Sequence, residues 1–482
     1  MTFSEEYGRL RGLRSAAREG RSEVPEDVVH CIWYDRLFAE NDLRTHDGRP
    51  IRILSPGWWN RSEGPDFRGA QLEIAGRLRT GDVEVHLYHG AWRQHSHHLD
   101  ERYDDVILEV VLESEPPKTK PVTSAGKTIP CLLLSNYMER DVRELADQLQ
   151  AVEDDRDTTV KPGYCATLTD KHGPQHTQRL VMLAGEWRSL AKARRFRERM
   201  ERAGSDQALY EALLEACGFK TFKHHFLALA RQFPYDRARQ LALRDPLLLE
   251  TALLQLAGLL PSELPNGTTG VPHFARLRAL HRDELSGLKS LPLTWKRTGV
   301  RPNNYPERRL VGAALLVART APEGLADTLE RIWAEDRKPV ERRRAFEALF
   351  PKGMGFWATH CSWTGKRLDK PVALLGPGRV RSIIGNVFIP AGLAWARRQK
   401  DRLLEERVVG FFGALPKEPG NRVLTSMAGR LFGEAKPPRM NFHTQQGLLQ
   451  IYHDWCEPNP SCRNCPVIQY LDSGYPASQP GG

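Results

Sequence analysis

Five histidines, His86, His89, His95, His97 and His98, fall within thirteen residues. Imidazole is the commonest metal-ligating side chain, and two carboxylates stand close by in sequence. Asp66 lies in a Gly64-Pro-Asp turn, and Glu84 lies in the run Asp82-Val-Glu-Val-His-Leu-Tyr88. Two carboxylates a few ångströms apart raise one another's pKa unless a hard cation neutralises them. Mg²⁺ or Mn²⁺ held by one or two carboxylates plus substrate phosphate suits phosphodiester hydrolysis. A second constellation sits near the C-terminus: Cys456, Cys462 and Cys465 are spaced C-x5-C-x2-C, with Pro466 after the last and His453 before the first. Three thiolates and one imidazole complete a tetrahedral structural zinc site. An iron-sulfur cluster is the other reading, with Cys361 as a distant fourth thiolate. Three unligated cysteines in a compact turn are the plain alternative to both.

These side chains depend on strands to bring them together. Alternation across residues 82–88 sets Val83, Val85 and Leu87 on one face, and Asp82, Glu84, His86 and Tyr88 on the other. A second strand over residues 71–75 alternates Leu72 and Ile74 with polar neighbours, and pairing of the two strands brings Asp66 towards Glu84. By pattern alone, the Asp82, Glu84 and His86 face reads equally as the solvated side of a half-buried strand, and Gly-Pro-Asp as an ordinary turn. His95, His97 and His98 fall around a turn between strands, where His95 and His97 are placed to contact phosphates at an active-site rim. Further strands are predicted over 51–54 and 106–112, with a hairpin through 127–134. Ahead of them comes a helix capped by Ser22 and opened by Pro25, with Val29, Ile32, Trp33 and Leu37 as its apolar set.

Asp66 in a Pro-Asp step, followed after a short strand by Glu84-Val-His86, resembles the restriction-endonuclease-like PD-(D/E)XK nuclease core. The likeness implies a mixed sheet with helices, Asp66 and Glu84 as metal ligands, and a further acidic ligand from the first helix, here Glu26. His86 occupies the place of the motif's lysine; a neutral imidazole can accept a proton or orient water. The whole chain also resembles an uncharacterised bacterial family, a domain of unknown function. It does so through Gly64-Pro-Asp-Phe, Gly81-Asp-Val-Glu-Val-His, and Trp92 with His95, His97, His98, Asp100 and Tyr103. Gly299-Val-Arg-Pro-Asn-Asn-Tyr-Pro-Glu-Arg-Arg, Ile384-Gly-Asn-Val-Phe-Ile-Pro and Gln445-Gln-Gly continue the likeness, which implies no activity. A cupin-like metalloenzyme competes, because Gly90, His95, His97 and Glu101 approach the Gly, His-x-His, Glu pattern. Gly126-Lys-Thr is no phosphate loop, since the required earlier glycine is Pro121.

The 482 residues suffice for two or three domains. The fold class is an α+β or α/β multidomain protein: a nuclease-like α/β domain over 1–152, a linker over 153–178, a helical domain over 179–414 and a C-terminal helical segment with the cysteine cluster over 415–482. Seventy basic against sixty acidic residues leave a net charge of +10, which suits a polyanion. The segment from Trp295 to Arg309 interleaves arginines with aromatic rings. Arg297, Arg301, Asn304 and Arg309 read either as nucleic-acid contacts or as parts of a rigid connection whose arginines cap helices and pair with carboxylates. No long apolar run and no secretory signal appear, so a cytoplasmic protein away from membranes is expected. Eight cysteines in so long a chain do not form a secreted disulfide framework. The expected function is a Mg²⁺- or Mn²⁺-dependent nuclease, a hydrolase. The alternative is a non-catalytic nucleic-acid-binding or scaffold protein with a degenerate core. The sequence specifies neither DNA nor RNA, nor an oligomeric state.

Overall fold

The computed structural model describes residues 6–16, 24, 26–60, 63–112, 120–139, 141, 142, 145, 163–267, 271–295, 297–350, 355–420, 422–433, 435, 437–456, 462 and 465–472. The chain divides into two compact units, one over residues 20–150 and one comprising residues 1–19 with 151–482. The protein is mixed α+β, with the sheet confined to the first of these. Helix α1 (Glu6–Ala16), which the 1–152 division placed with the sheet, groups with the helical unit. Among the described residues no helix is long and apolar enough to cross a membrane.

The sheet unit opens with helix α2 (Glu26–Asp35), which buries Val28, Val29, Ile32 and Trp33 and packs on the sheet. Its expected start signals, Ser22 and Pro25, lie outside the described residues. The helix stops where Arg36 turns left-handed (φ 54°), and Trp33 Nε1 donates to Pro56 O at 3.1 Å. Strands β1 (Ile51–Ser55), β2 (Trp58–Trp59), β3 (Phe67–Ile74) and β4 (Arg77–His86) follow. The short helix α3 (Ala91–Gln94), two 3-10 turns, β5 (Val106–Val111) and β6 (Cys131–Leu133) complete the unit. The sheet order is β1-β3-β4-β5-β6, with β2 added on β3; β1, β3 and β4 run antiparallel, while β4-β5 and β5-β6 are parallel.

Two local devices set the register. Ala75 and Gly76, both at positive φ (51° and 75°), form the two-residue turn that the twist of a hairpin favours, and Ile74 pairs with Arg77 across it. The expected strand 71–75 therefore ends one residue early, and its true start is Phe67. A bulge interrupts β3 between Phe67 and Ala70. There Gly69 (φ 63°) donates its N–H to Asp82 Oδ1 at 3.0 Å, and any side chain at 69 would collide with the Trp58 ring. Beyond the bulge Phe67 faces Val83, which aligns Asp66 with Glu84.

Two expectations fail here. The Glu84 and His86 face is not solvated: Glu84 is 5% and His86 1% exposed, because the parallel neighbours bring segments that cover both faces of β4. The hairpin over 127–134 is not formed either. Val122 and Thr128 make a single antiparallel bridge, and β6 instead pairs parallel with β5. All six residues of β5 are buried, Glu109 included. The helix expected after Glu139 falls almost wholly outside the described residues.

The helical unit has two apolar cores. The larger gathers Leu209, Leu213, Cys217, the Leu248–Leu260 stretch and four tryptophans, as the helical stripes in the sequence require. The smaller joins Tyr7 and Leu10 of α1 to Cys165, Leu180, Met427, Leu448, Trp455, Cys465 and Leu471. The 415–482 stretch thus shares a core with residues far upstream.

Candidate metal centre

Asp66 and Glu84 meet through reciprocal backbone bonds. The Asp66 N–H donates to Glu84 Oε2, and the Val85 N–H donates to Asp66 Oδ2, each at 3.0 Å. Both carboxylates are held by neighbouring strands. His30, from α2, places Nε2 3.0 Å from Asp66 Oδ2 and sets its ring edge-on to Trp59 and Phe67. Glu26, at the start of the same helix, lies within electrostatic reach of His86 and His95.

On the other side of Glu84, its Oε1 stands 3.0 Å from His97 Nε2 and 3.6 Å from His86 Nε2. His86 Nδ1 is 2.9 Å from Glu109 Oε1 on the neighbouring strand. A buried carboxylate needs a partner, and Glu109 finds it in this imidazole. His97 is stacked on Tyr103 at 3.9 Å between centroids and lies parallel to His86 at 5.4 Å. Trp92 packs edge-on to both histidines, anchored by a 2.9 Å bond from Nε1 to Val122 O. His86, His95 and His97 offer ligand atoms within 4.8 Å of one another; His95 is exposed, whereas His97 is buried against Glu84 and not spread on a rim. A second such group is His89, Glu109 and Cys131, and its Glu109 is the carboxylate bonded to His86.

The electrostatics describe a site short of positive charge. Burial, with Asp66 adding to it, pushes the Glu84 carboxyl up to about 8, against the opposing pull of His86, the Asp66 N–H and His30. Burial and the nearby His86 drive His97 down to about 4. Their separation is that of an ion pair, but burial disfavours the charge on both, raising the Glu84 carboxyl and lowering the His97 imidazole. His86 differs. Burial disfavours its charge, but the bond to Glu109 and the field of Glu84 outweigh that and hold its pKa above the ordinary value.

Glu84 and Glu109 reach Asp66, His30, His86 and His97 without crossing more than one strand or helix. His30, Glu109 and Cys131 were not singled out by sequence reasoning. For Glu109 a signal existed: one acid inside the run Val-Ile-Leu-Glu-Val-Val. The cupin-like arrangement is not formed. Glu101 is exposed in a 3-10 turn, and the parallel strand pairs are foreign to an antiparallel jelly roll.

In the arginine segment of the helical unit residues 306–309 are buried, whereas the described residues of 295–305 are exposed or half-exposed. Arg297 Nη2 binds Glu307 Oε1 at 2.5 Å, with its guanidinium 4.9 Å from the Tyr305 ring centroid. Arg309 is buried and points Nη1 at the carbonyls of Cys217 and Gly218, 3.4 Å away, where the helix Ser205–Gln232 breaks at Phe219. Its neighbour Arg308 is fully buried and binds the carbonyls of Trp357, His360, Val372 and Ala373. Buried guanidinium groups that satisfy carbonyls at chain breaks are a packing device. Arg301 is exposed and Asn304 half-exposed. At the C-terminus, Cys465 belongs to the smaller core, Cys456 packs against it and Cys462 Sγ accepts from Arg430 Nη2 at 2.7 Å, while Cys361 is engaged elsewhere, with its thiol 3.2 Å from Asn303 Oδ1. His453 packs edge-on to Tyr452. No disulfide joins any of the eight cysteines.

The family described as protein of unknown function (DUF2851) matches residues 26–421, and the chain belongs to it. No curated protein and no solved structure matches the chain.

Proposed function

We propose that the sheet unit of this family member hydrolyses phosphodiester bonds of nucleic acid with Mg²⁺ or Mn²⁺ held at Asp66 and Glu84. The observation that carries this reading is the reciprocal bonding of Asp66 and Glu84 across β3 and β4, which sets two carboxylates side by side in a buried, histidine-lined site. The order of elements supports it as well. A helix, three antiparallel strands and a parallel strand reached through short helical turns are what a restriction-endonuclease-like core requires.

The donor set fits a divalent cation. Two carboxylates suit a hard ion, the adjoining imidazoles shift preference from Mg²⁺ towards Mn²⁺, and the raised Glu84 shows the charge deficit such an ion would fill. When bound, the ion polarises the phosphodiester and lowers the pKa of a water. The chain's own residues have separate tasks. Glu109 accepts a hydrogen bond from Nδ1–H of His86, which fixes the tautomer whose Nε2 can take a proton from water when the ring is neutral. His30 fixes the rotamer of Asp66. His97 and Tyr103 wall the site on the strand side of His86. Glu84 must release its proton before it can serve as a ligand, so the site fills better as pH rises towards 8.

A second reading rests on His86. Clamped between Glu109 and Glu84, it lacks the mobile positive charge of the lysine it replaces, and this favours a nucleic-acid-binding protein with a degenerate core. Incubation of the pure chain with single- and double-stranded DNA and RNA in Mg²⁺ or Mn²⁺, beside Asp66→Ala and Glu84→Ala, separates the two. Cleavage lost in both variants supports the nuclease. Cleavage that survives in both overturns the site, and binding without cleavage establishes the second reading.

A further inference from the structure

We propose that four thiolates, Cys165, Cys456, Cys462 and Cys465, hold an iron-sulfur cluster in the smaller core of the helical unit. The C-terminal run supplies only three cysteines, and a four-thiolate centre needs one more. The fold brings it from nearly three hundred residues upstream. Cys165 is the second residue of the helix Tyr164–His172, buried, in the same apolar cluster as Cys465, with Cys456 packed against that cluster. This helix lies on Arg422–Phe432 and on Pro466–Asp472, the helix that begins immediately after Cys465. Thr169 Oγ1 ties Cys165 O (2.9 Å) to Leu431 O (2.7 Å), and a Cβ placed on Gly433 would sit 3.0 Å from Ala166 Cβ.

Arg430 links the two sources of sulfur. Its Nη2 donates to Cys462 Sγ at 2.7 Å, while its aliphatic stem lies so close to Gly163 that an added Cβ would meet Cγ at 2.6 Å. Gly163 is the N-cap of the Cys165 helix. Cys462 itself adopts a left-handed conformation (φ 61°), and Cys465 N–H reaches back to Cys462 O at 3.3 Å, a tight turn of the kind that points successive sulfurs into one space. The thiols feel one another: after burial, the charges acting on Cys165 are those of Cys456, Cys465 and Cys462, and Arg430 responds to Cys456, Cys462 and Cys165. A guanidinium bonded to a ligating sulfur offsets the anionic charge of four thiolates, of which Cys165 and Cys465 are buried with Trp455, Val467 and Leu471 while Cys456 and Cys462 are half-buried.

Size and sequence favour a cluster over one zinc ion. Zinc-sulfur bonds of 2.3 Å hold tetrahedral sulfurs roughly 3.8 Å apart. Among the described residues, the groups with three or more ligand atoms within 4.8 Å of one another do not include these cysteines. These sulfurs are therefore not gathered at zinc-site spacing, and the run closes on Cys465-Pro466, the Cys-Pro ending of ferredoxin-type runs.

The test is metal analysis of the full chain, purified without oxygen, beside Cys165→Ser and the control Cys361→Ser. About four iron atoms with matching acid-labile sulfide per chain, and a visible absorption band that bleaches on reduction, are expected. Cys165→Ser should lose most of the iron and Cys361→Ser should keep it. Iron-free protein, whether it holds one zinc or none, overturns the cluster, and a folded Cys165→Ser with full iron overturns the fourth ligand. Where Cys165→Ser does not fold, alkylation of the wild-type chain decides. Removal of iron should expose Cys165 together with Cys456, Cys462 and Cys465, and labelling of Cys165 that ignores iron removal overturns its role. Asp66→Ala and Glu84→Ala should leave the iron content unchanged, so this result stands apart from the nuclease assay.

Discussion

The chain carries two clusters of ligand-type side chains built on opposite plans. In the sheet unit, Glu26, His30, Asp66, Glu84, His86, His95, His97 and Glu109 all come from one stretch of fewer than ninety residues, on adjacent strands and the helix beside them. In the helical unit, four cysteines converge from residue 165 and from residues 456–465. The first cluster is rich in negative charge and answers it by protonation, with the Glu84 carboxyl raised. The second answers with a fixed cation, Arg430 on Cys462. A site that relieves its charge by taking up a proton is one where a metal ion can compete with that proton. A site with a permanent arginine is suited to keep what it holds.

Substitutions can break this contrast, and the largest effect should come from Asp66→Asn and Glu84→Gln. Each should lower Mg²⁺- or Mn²⁺-dependent cleavage by more than the ~100-fold at the top of the range for outer partners of a metal site, as measured by initial rates on the preferred nucleic acid. Next comes the helical unit. Arg11 Nε pairs with Asp454 Oδ2 at 3.0 Å, and both are almost fully buried. Arg11→Ala removes the positive charge from a buried carboxylate to which Gln450 Nε2 still donates at 2.9 Å, and should cost roughly 3–5 kcal/mol of unfolding free energy, read from denaturant titration. Retention of wild-type stability would show that the pair is not buried in solution. Glu109→Gln should be milder, a loss of about 10–100-fold in activity or metal affinity, because it acts on the orientation of His86 and not on the ion.

The smallest effect is also the most specific. In metal-free protein the folded pKa of Glu84, about 8, lies above that of an unfolded glutamate. The folded state then binds the extra proton, so this carboxyl contributes full stability below about pH 4.5 and loses it as pH rises to about 8. Glu84→Gln has no such proton to lose. Its stability relative to wild type should climb across that window and level off above it, by a few kcal/mol at most, since one pKa unit is worth about 1.4 kcal/mol. A flat difference from pH 5 to 8 would mean that Glu84 titrates normally, and an added divalent ion should flatten the wild-type loss.

The same contrast explains what could be read from the sequence. Alternation along 82–88 placed Glu84 and His86 together, and the two-residue turn at Ala75-Gly76 is short enough that Asp66 follows from it. Local order was sufficient there. The burial of that face was not legible, because it depends on β5 and β6 pairing in parallel, which no turn signal announces. Glu109 was hidden for the same reason, as its partner His86 is 23 residues away on another strand. Cys165 was beyond reach altogether, since helix packing and not spacing sets it beside the C-terminal run. In the 295–309 segment Arg297 pairs with a carboxylate and Arg309 faces carbonyls at a helix break, while Arg308, part of the same interleaved run, is the most deeply buried of the three.

The smaller core has a consequence for how the chain is made. Trp455 Nε1 donates to Tyr7 OH at 2.9 Å across a sequence separation of 448, and Arg11 of the same helix meets Asp454. During synthesis α1 emerges ahead of the sheet unit and finds part of its docking surface in the helix Pro174–Ala203, but that surface is completed only when residue 455 and the last helix are made, whereas the sheet unit can close once Leu133 has left the ribosome. Closing so long a loop is slow. Translation should therefore yield a sheet unit that is already folded while the segment ahead of it is still undocked, and nascent chains stalled before residue 455 should expose α1 to protease until the last helices are made.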